Sequence, residues 1–330
     1  MAQDAGSIYA YLIDKRINTA RAVSWQEIRA WRPESEFLWL VSRADGIETR
    51  RWLQTESGLD PQILNTLFSN DNRPHTIFTP EGTLISLRAV NQDTKKDLDE
   101  DLVSVNLWVD SNRCIVLRSH ATQACSEVRN EIKEGHVPND TGELFALLLD
   151  RLMVRLESLI SEIDHQLDEL EDKILLDATD NDQMELSTLR HRVITARRYL
   201  VAQHNVISSM YGGRAFWLSD TCKRTLRESN SHINRAVEDI NACRERALFL
   251  QDQITNLNSR DLNKTMKILT AFTAVLLPLN AFTSLMGTNV EGIPGQAGTP
   301  SPYAFTYEVL ICITIVLSCY FIFKKLKWFD

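Results

Sequence analysis

The feature that most constrains this chain is a run of 23 residues without a charged side chain, Ile268–Val290. An almost wholly apolar run, Val309–Phe323, follows it and reaches 21 residues when Tyr303–Glu308 is included. A helix needs about 20 residues to cross the hydrocarbon core of a bilayer. The two runs therefore predict two membrane-spanning helices near the C-terminus of this 330-residue chain. The alternative, a buried hairpin in a soluble core, is the weaker interpretation for two adjacent runs of this length.

The flanking charges predict how these helices are oriented. Basic residues lie outside both runs: Arg260, Lys264 and Lys267 before the first, and Lys324, Lys325 and Lys327 after the second. The connecting loop, residues 287–302, contains no Lys or Arg. Because cationic residues accumulate on the cytoplasmic side of membrane helices, we expect a multi-pass protein with both termini in the cytoplasm and the loop outside.

Composition excludes several classes of function. Lys and Arg number 36 against 44 Asp and Glu, a net charge of -8, which argues against a nucleic-acid partner. Six Cys are scattered without a CxxC pair, so neither a zinc ribbon nor a disulfide scaffold fits, and a reducing intracellular environment is indicated. Seven dispersed His and the lack of a nucleophile or phosphate-loop pattern predict a protein that is not an enzyme and holds no cofactor.

The rest of the chain predicts an α+β protein. Short β-rich runs separated by turn signals occupy the first 140 residues, which we interpret as a cytoplasmic α/β domain: residues 37–42, 76–78, 83–90, 102–109 and 114–118. Long segments without Gly or Pro follow and predict a stalk of three helices. The second helix is expected from about Gln183 to Tyr211. The third begins near Ser219 and continues into the first membrane run, over a length on the order of 100 Å.

These observations divide the chain into six predicted segments. They are a cytoplasmic domain (1–140), a helical stalk or funnel (141–266), a first membrane span (267–289), an external loop (290–302), a second span (303–323) and a basic cytoplasmic tail (324–330). Within the stalk, residues 157–185 hold eleven acids and one Lys, whereas residues 186–214 hold five Arg and no acid. A charge-matched antiparallel hairpin explains this pattern. A field that gathers or repels cations near a pore mouth is the alternative.

A polar stripe marks the first span. Its members recur at helical spacing: Thr273, Leu277, Asn280, Ser284 and Thr288. Polar groups inside a membrane are costly unless they face protein or water. Because two spans cannot enclose a water path, the stripe predicts several copies around a central pore. Small polar residues that mediate helix packing are the alternative.

The motifs around this stripe resemble the CorA metal ion transporter family, whose signature is a GxN tripeptide, usually GMN, at the outer end of the first span. Gly287-Thr288-Asn289 matches the ends of that signature, and Asn263, Met266-Lys267, Leu269-Thr270, Pro278 and the basic tail are similar to neighbouring family positions. The middle Thr and the sequence Gly292-Ile293-Pro294-Gly295 look most like the family's zinc-transporting branch. Glu291 lies at an offset where magnesium-transporting members also carry an acid.

The resemblance implies a funnel-shaped homopentamer in the cell inner membrane, with the long helix lining the pore. Family pore positions correspond to Asn263, Met266, Leu269, Leu277, Asn280 and Asn289, and acidic funnel positions to Asp252 and Glu228. Asn289 would hold the ion through its hydrating water, without the Cys or His ligands of tight zinc sites. Rings of Leu269 and Leu277 could gate the pore by dewetting, although packing alone would also explain Leu277.

We therefore expect a divalent-cation transporter, with zinc favoured and with proton coupling. Glu308 is the only carboxylate inside the predicted spans and is the candidate proton site, unless it lies at the interface and meets water. A magnesium or cobalt channel of the same family is the alternative function. A membrane-tethered sensor or scaffold is a further one, although an anchor alone needs neither the polar stripe nor the GTN motif.

Overall fold

The computed structural model describes residues 8–69, 73–91, 101–176, 179–212, 214–287 and 303–325, apart from the side chains of residues 304, 305 and 308. The chain forms two compact units, Met1–Gln251 and Asp252–Asp330. The predicted α+β class is confirmed: an α/β domain comes first, and long helices follow it. The six predicted segment boundaries remain predictions.

A seven-stranded sheet forms the centre of the α/β domain. Its strands are β1 (Tyr9–Asp14), β2 (Thr19–Ala22), β3 (Glu36–Arg43), β4 (His75–Phe78), β5 (Thr83–Val90), β6 (Leu102–Val109) and β7 (Arg113–Arg118). They lie in the order β2-β1-β3-β7-β6-β5-β4, and β3 with β7 is the one parallel pair among the described strands. Five strands match the predicted β-rich runs. The hairpin of β1 and β2 was not predicted; it turns at Asn18, whose φ of 52° is a left-handed conformation that Asn tolerates.

Helices cover both faces of this sheet. On one face lie α1 (Trp25–Ala30), α2 (Ile47–Thr55) and α3 (Pro61–Leu67), whose apolar side chains share a core with β3, β6 and β7. On the other face lie α4 (Gln123–Lys133) and parts of α5 (Thr141–Leu176) and α6 (Asp180–Met210). Because both faces are covered, β6 is buried along its entire length instead of alternating between buried and exposed residues.

The long helices pack as in a coiled coil. After α5 and α6 comes α7 (Asp220–Met286), which is followed by α8 (Ala304–Lys325). Buried positions of α7 in the first unit alternate at spacings of four and three: Cys222, Leu226, Ser229, Ile233, Ala236, Ile240, Cys243, Ala247 and Leu250. An average spacing of 3.5 residues is the pattern of knobs-into-holes packing. The 67-residue α7 is therefore held by α5 and α6 through its first half.

The start of α6 lies three residues before the predicted Gln183. Thr179 is the N-cap: its hydroxyl accepts a hydrogen bond from the backbone N–H of Asp182, whose carboxylate in turn accepts from the backbone N–H of Thr179 at 2.8 Å. This capping box satisfies two otherwise unpaired groups, so the helix begins at Asp180.

The predicted attraction between the acidic and arginine-rich segments is limited to one described ion pair. Arg192 of α6 lies 3.7 Å from Glu162 of α5. Its stronger contacts are a hydrogen bond of 2.7 Å to Asp101, which precedes β6, and one of 2.6 Å to Gln166. Arg192 thus ties α6 to the sheet domain as well as to α5.

Three acids on α5 pair with α7 instead. Arg246 donates to Asp164 at 3.1 Å and also to Asp168, and His232 contacts Glu157 at 2.9 Å. The sequence could not reveal this choice of partner, because α7 carries its own Arg and His residues on the side that meets α5. The charge pairing therefore involves three helices, α5, α6 and α7, and not only the two of the predicted hairpin.

Candidate pore-lining helix

The second unit contains the end of α7 and all of α8, and each helix has one less exposed side. On α7 this side consists of Ala271, Ala274, Val275, Leu279, Phe282 and Met286. On α8 it consists of Cys312, Ile315, Cys319 and Phe323, again at spacings of three and four. The thiol of Cys319 lies 3.8 Å from the carbonyl oxygen of Ala274, so these two sides face each other.

The predicted pore-lining residues occupy the other side of α7. Six of them project within a narrow arc of the helix, opposite the side that faces α8: Met266, Leu269, Thr273, Leu277, Asn280 and Ser284. All six are exposed in the single chain, and Leu277 retains 66% of its accessible surface. Asn263 is also exposed and lies at the edge of this arc. We call the six residues the open face of α7.

The open face offers hydrogen-bond acceptors. The hydroxyl of Thr273 donates to the carbonyl of Leu269 at 2.9 Å, so its proton is used within the helix while its oxygen can still accept. Asn280 adds an amide that both donates and accepts, and Ser284 adds a hydroxyl. Water molecules around a cation direct their hydrogens outward, so acceptors of this kind suit a hydrated cation.

Positive charge lies away from the open face. Arg260, Lys264 and Lys267 are exposed on α7, and by helical geometry they project from the side opposite Met266 and Leu269. From Ile268 to Gly287 the helix has no charged residue. Cations approaching along the open face would therefore not meet these basic side chains directly.

The outer-mouth residues fall mostly outside the described part of the chain. Gly287 directly follows Met286, the last residue of α7, and its N–H donates to the carbonyl of Thr283 at 3.0 Å. Thr288, Asn289 and Glu291 lie outside the described residues, as does the side chain of Glu308, whose backbone belongs to α8. Their predicted roles remain predictions.

The predicted funnel acids both lie on α7. Glu228 belongs to the first unit and Asp252 begins the second, and both side chains are exposed. Among the described residues no group of three or more His, Cys, Asp or Glu is arranged to hold a metal ion. One described helix, α7, is long and apolar enough to cross a membrane by the criteria of length and hydropathy.

Residues 34–325, most of the chain, match the CorA-like Mg2+ transporter protein family. The chain belongs to this family. Family membership, predicted from the GTN motif and its surroundings, is thereby confirmed, and it makes the chain a divalent-cation transporter of the CorA type.

Individual relatives match this CorA-family chain over nearly its entire length. The divalent cation transporter CmaX of Pseudomonas aeruginosa is 30% identical over 329 residues, covering 98% of this chain and 97% of the relative. The zinc transport protein ZntB of Pectobacterium carotovorum is 27% identical over 326 residues, covering 99% and 97%. The solved structure of the CorA magnesium transporter from Methanocaldococcus jannaschii has the same fold, with a TM-score of 0.83 at 17% identity over 98% of both chains.

Two features of the candidate site were not predicted. Helical spacing places Leu277, Asn280 and Ser284 on one side of a helix but does not identify the side that α8 covers. The position of Pro278 in the sequence likewise does not identify a donor for the backbone carbonyl that lacks its helical partner at this proline. The spacing of Cys312 and Cys319, seven residues apart on a short apolar helix, was the available signal for the second feature.

Proposed function

We propose that this protein moves hydrated divalent cations across the cell inner membrane through a pore lined by the open face of α7. The observation that carries the proposal is that the two opposite sides of α7 have different surroundings. One side packs against α8, while the other presents Thr273, Asn280 and Ser284 without a partner element among the described residues. Polar groups in this position need water or protein, and a water-filled pore supplies the first.

The open face supports assembly around an axis. One chain cannot enclose a path for ions, so several copies of α7 must surround it, and the family resemblance implies a homopentamer. Mass measurement of the purified protein in detergent tests this assembly. Five copies per particle are expected, whereas a monodisperse monomer or dimer that still transports would contradict the proposal.

Zinc is the proposed physiological ion. The GTN motif with Gly292–Gly295 resembles the zinc-transporting branch, and similarity to proteins named ZntB supports the same choice. The acceptor-lined face suits an ion that keeps its water shell, so affinity should be modest and Cd²⁺, Ni²⁺ or Co²⁺ should compete. A magnesium or cobalt channel remains the second candidate, which the similarity to a CorA magnesium transporter's fold favours.

We further propose two membrane crossings with both termini in the cytoplasm. The 22 residues of α8 provide a second helix of sufficient length, and the basic residues outside both spans set the orientation. Asn289 would hold the ion at the outer mouth through hydrating water, and Glu228 and Asp252 would attract cations in the funnel.

Uptake by liposomes that contain the purified full-length protein tests the ion and the coupling together. Zinc uptake is expected, faster with an inward proton gradient, and transport of Mg²⁺ alone would assign the chain to magnesium. If no divalent cation enters, the membrane-tethered scaffold becomes the better interpretation.

Proton coupling through Glu308 has its own matched pair of variants. Glu308→Gln should abolish the effect of the gradient, because desolvation favours the protonated form of an intramembrane acid. Glu291→Gln, which removes the other acid of this region, should keep it. Full gradient dependence in Glu308→Gln would exclude that residue as the proton site.

A further inference from the structure

The proline in the pore-lining helix leaves one backbone group without its usual partner. Pro278 lies in the interior of α7 and has no N–H. In an uninterrupted helix, residue 278 would donate to the carbonyl of residue 274, four positions earlier. The carbonyl of Ala274 therefore lacks its helical donor for a covalent reason that no side-chain movement alters.

A donor from the neighbouring helix α8 contacts the carbonyl of Ala274 in place of the missing N–H. The thiol of Cys319 on α8 lies 3.8 Å from the carbonyl oxygen of Ala274 and donates to it. A thiol is a weak donor. In hydrocarbon, however, water cannot substitute for it, and a proline in a membrane helix is tolerated when neighbouring groups satisfy the carbonyl it frees. The small side chain at Ala274 leaves the carbonyl accessible to the other helix.

The open face is directly affected by this contact. Leu277 and Asn280 flank Pro278 and project away from α8. A helix interrupted at a proline can bend there, and a bend would move the part of the open face beyond Pro278 relative to the part before it. A contact at Ala274 restrains this motion from the covered side.

We propose that Cys319 is a positioning residue for ion passage. Its thiol replaces the missing donor at the Pro278 interruption and fixes α7 against α8, which holds the two parts of the open face in line. The inference rests on the proposed function, because it assumes that the open face lines the ion path.

Cys312 provides a matched control. It lies seven residues before Cys319 on the same side of α8 and has the same intermediate exposure. Within the described part of the chain it makes no hydrogen bond to α7. Loss of a thiol as such, or of its volume, should therefore affect Cys312 and Cys319 alike, whereas loss of the donor concerns Cys319 alone.

The test measures zinc uptake into liposomes for Cys319→Ala, Cys319→Ser and Cys312→Ala, each made in the parent chain and in Pro278→Ala. In the parent, Cys319→Ala should slow uptake about two- to fivefold. Cys319→Ser should restore uptake because a hydroxyl also donates, and Cys312→Ala should match the parent. In Pro278→Ala the backbone N–H returns, so Cys319→Ala should have no further effect.

Three results would overturn the inference: normal uptake by Cys319→Ala, failure of Cys319→Ser to restore it, or an equal effect of Cys319→Ala with and without Pro278. Thermal denaturation of the same variants in detergent separates this inference from the proposed function. If the parent moves no divalent cation, the proposed function fails, while the melting temperatures still show whether the effect of Cys319→Ala depends on Pro278.

Discussion

The indole nitrogen of Trp217 donates a hydrogen bond of 3.0 Å to the hydroxyl of Thr83. Trp217 lies in the connection between α6 and α7, Thr83 is the first residue of β5, and both are buried. Phe145 of α5 meets the same indole edge-on, with ring centroids 5.5 Å apart. These contacts of Trp217 attach the connection before α7 to the central sheet and to α5. They therefore fix the position of the N-terminal end of α7.

Removal of the Thr83 hydroxyl should destabilise the first unit. Thr83→Val keeps the shape of the side chain but leaves the buried indole N–H without an acceptor, which should lower the free energy of unfolding by about 1–3 kcal/mol. Chemical denaturation of the purified protein, monitored by tryptophan fluorescence, measures the change. Thr188→Val, on the exposed side of α6, is the control and should shift stability little. Equal effects of the two variants would contradict this role.

Polarity of the open face should control ion passage. Asn280→Leu removes an amide from every copy in the proposed ring while leaving the side that packs against α8 unchanged, so zinc uptake should fall about tenfold with assembly intact. Thr314→Val on α8 is the control, because its hydroxyl donates only to the carbonyl of Leu310 in its own helix, at 2.8 Å. Normal uptake by Asn280→Leu would place the ion path elsewhere.

The outer mouth should depend on Asn289. Asn289→Ala removes one amide per subunit, and several lost hydrogen bonds of about 1 kcal/mol each should impair ion capture severely. Uptake measured over a range of zinc concentrations, together with particle mass, distinguishes lost capture from lost assembly. Transport at the normal rate by Asn289→Ala would show that the outer-mouth assignment is wrong.

Alkaline conditions should weaken the helical bundle. Burial, reinforced by the nearby Asp164 carboxylate, raises the pKa of the Cys243 thiol from 9.0 to about 12. In the unfolded chain this thiol loses its proton near its ordinary pKa, so the folded state binds more protons above that value. The contribution of the buried Cys243 thiol to the free energy of unfolding is complete below about pH 9. It is lost progressively as the pH rises toward about 12.

This effect can be measured as the melting temperatures of the parent and of Cys243→Ala between about pH 8 and about pH 11. That range begins below the ordinary thiol pKa of 9.0 and extends toward the raised pKa of about 12. The variant should lose less stability with rising pH than the parent does. Part of the alkaline loss should remain, because burial also raises the pKa of the Cys125 and Cys222 thiols. Identical pH profiles would exclude Cys243 as a contributor.

Much of the fold could be predicted because its signals are local in sequence. Five strands of the sheet and the succession of long helices follow from apolar periodicity and from segments without Gly or Pro. The hairpin of β1 and β2 escaped prediction because its turn uses Asn18 in a left-handed conformation instead of a glycine signal. The ion pairs of Arg246 with α5 escaped it because residues 78 and 82 positions apart become neighbours only when three helices pack together.

The sequence by itself determined the family, the position of the apolar runs and the membership of the polar stripe, because motif order, run length and helical spacing are properties of a single segment. Only the tertiary structure decided which side of α7 is covered and which remains open. It also decided that Cys319 meets the carbonyl that Pro278 leaves without a donor, 45 residues earlier in the chain. Such contacts depend on the rotation of each helix about its axis, which the packing of one helix against another fixes and no local pattern specifies.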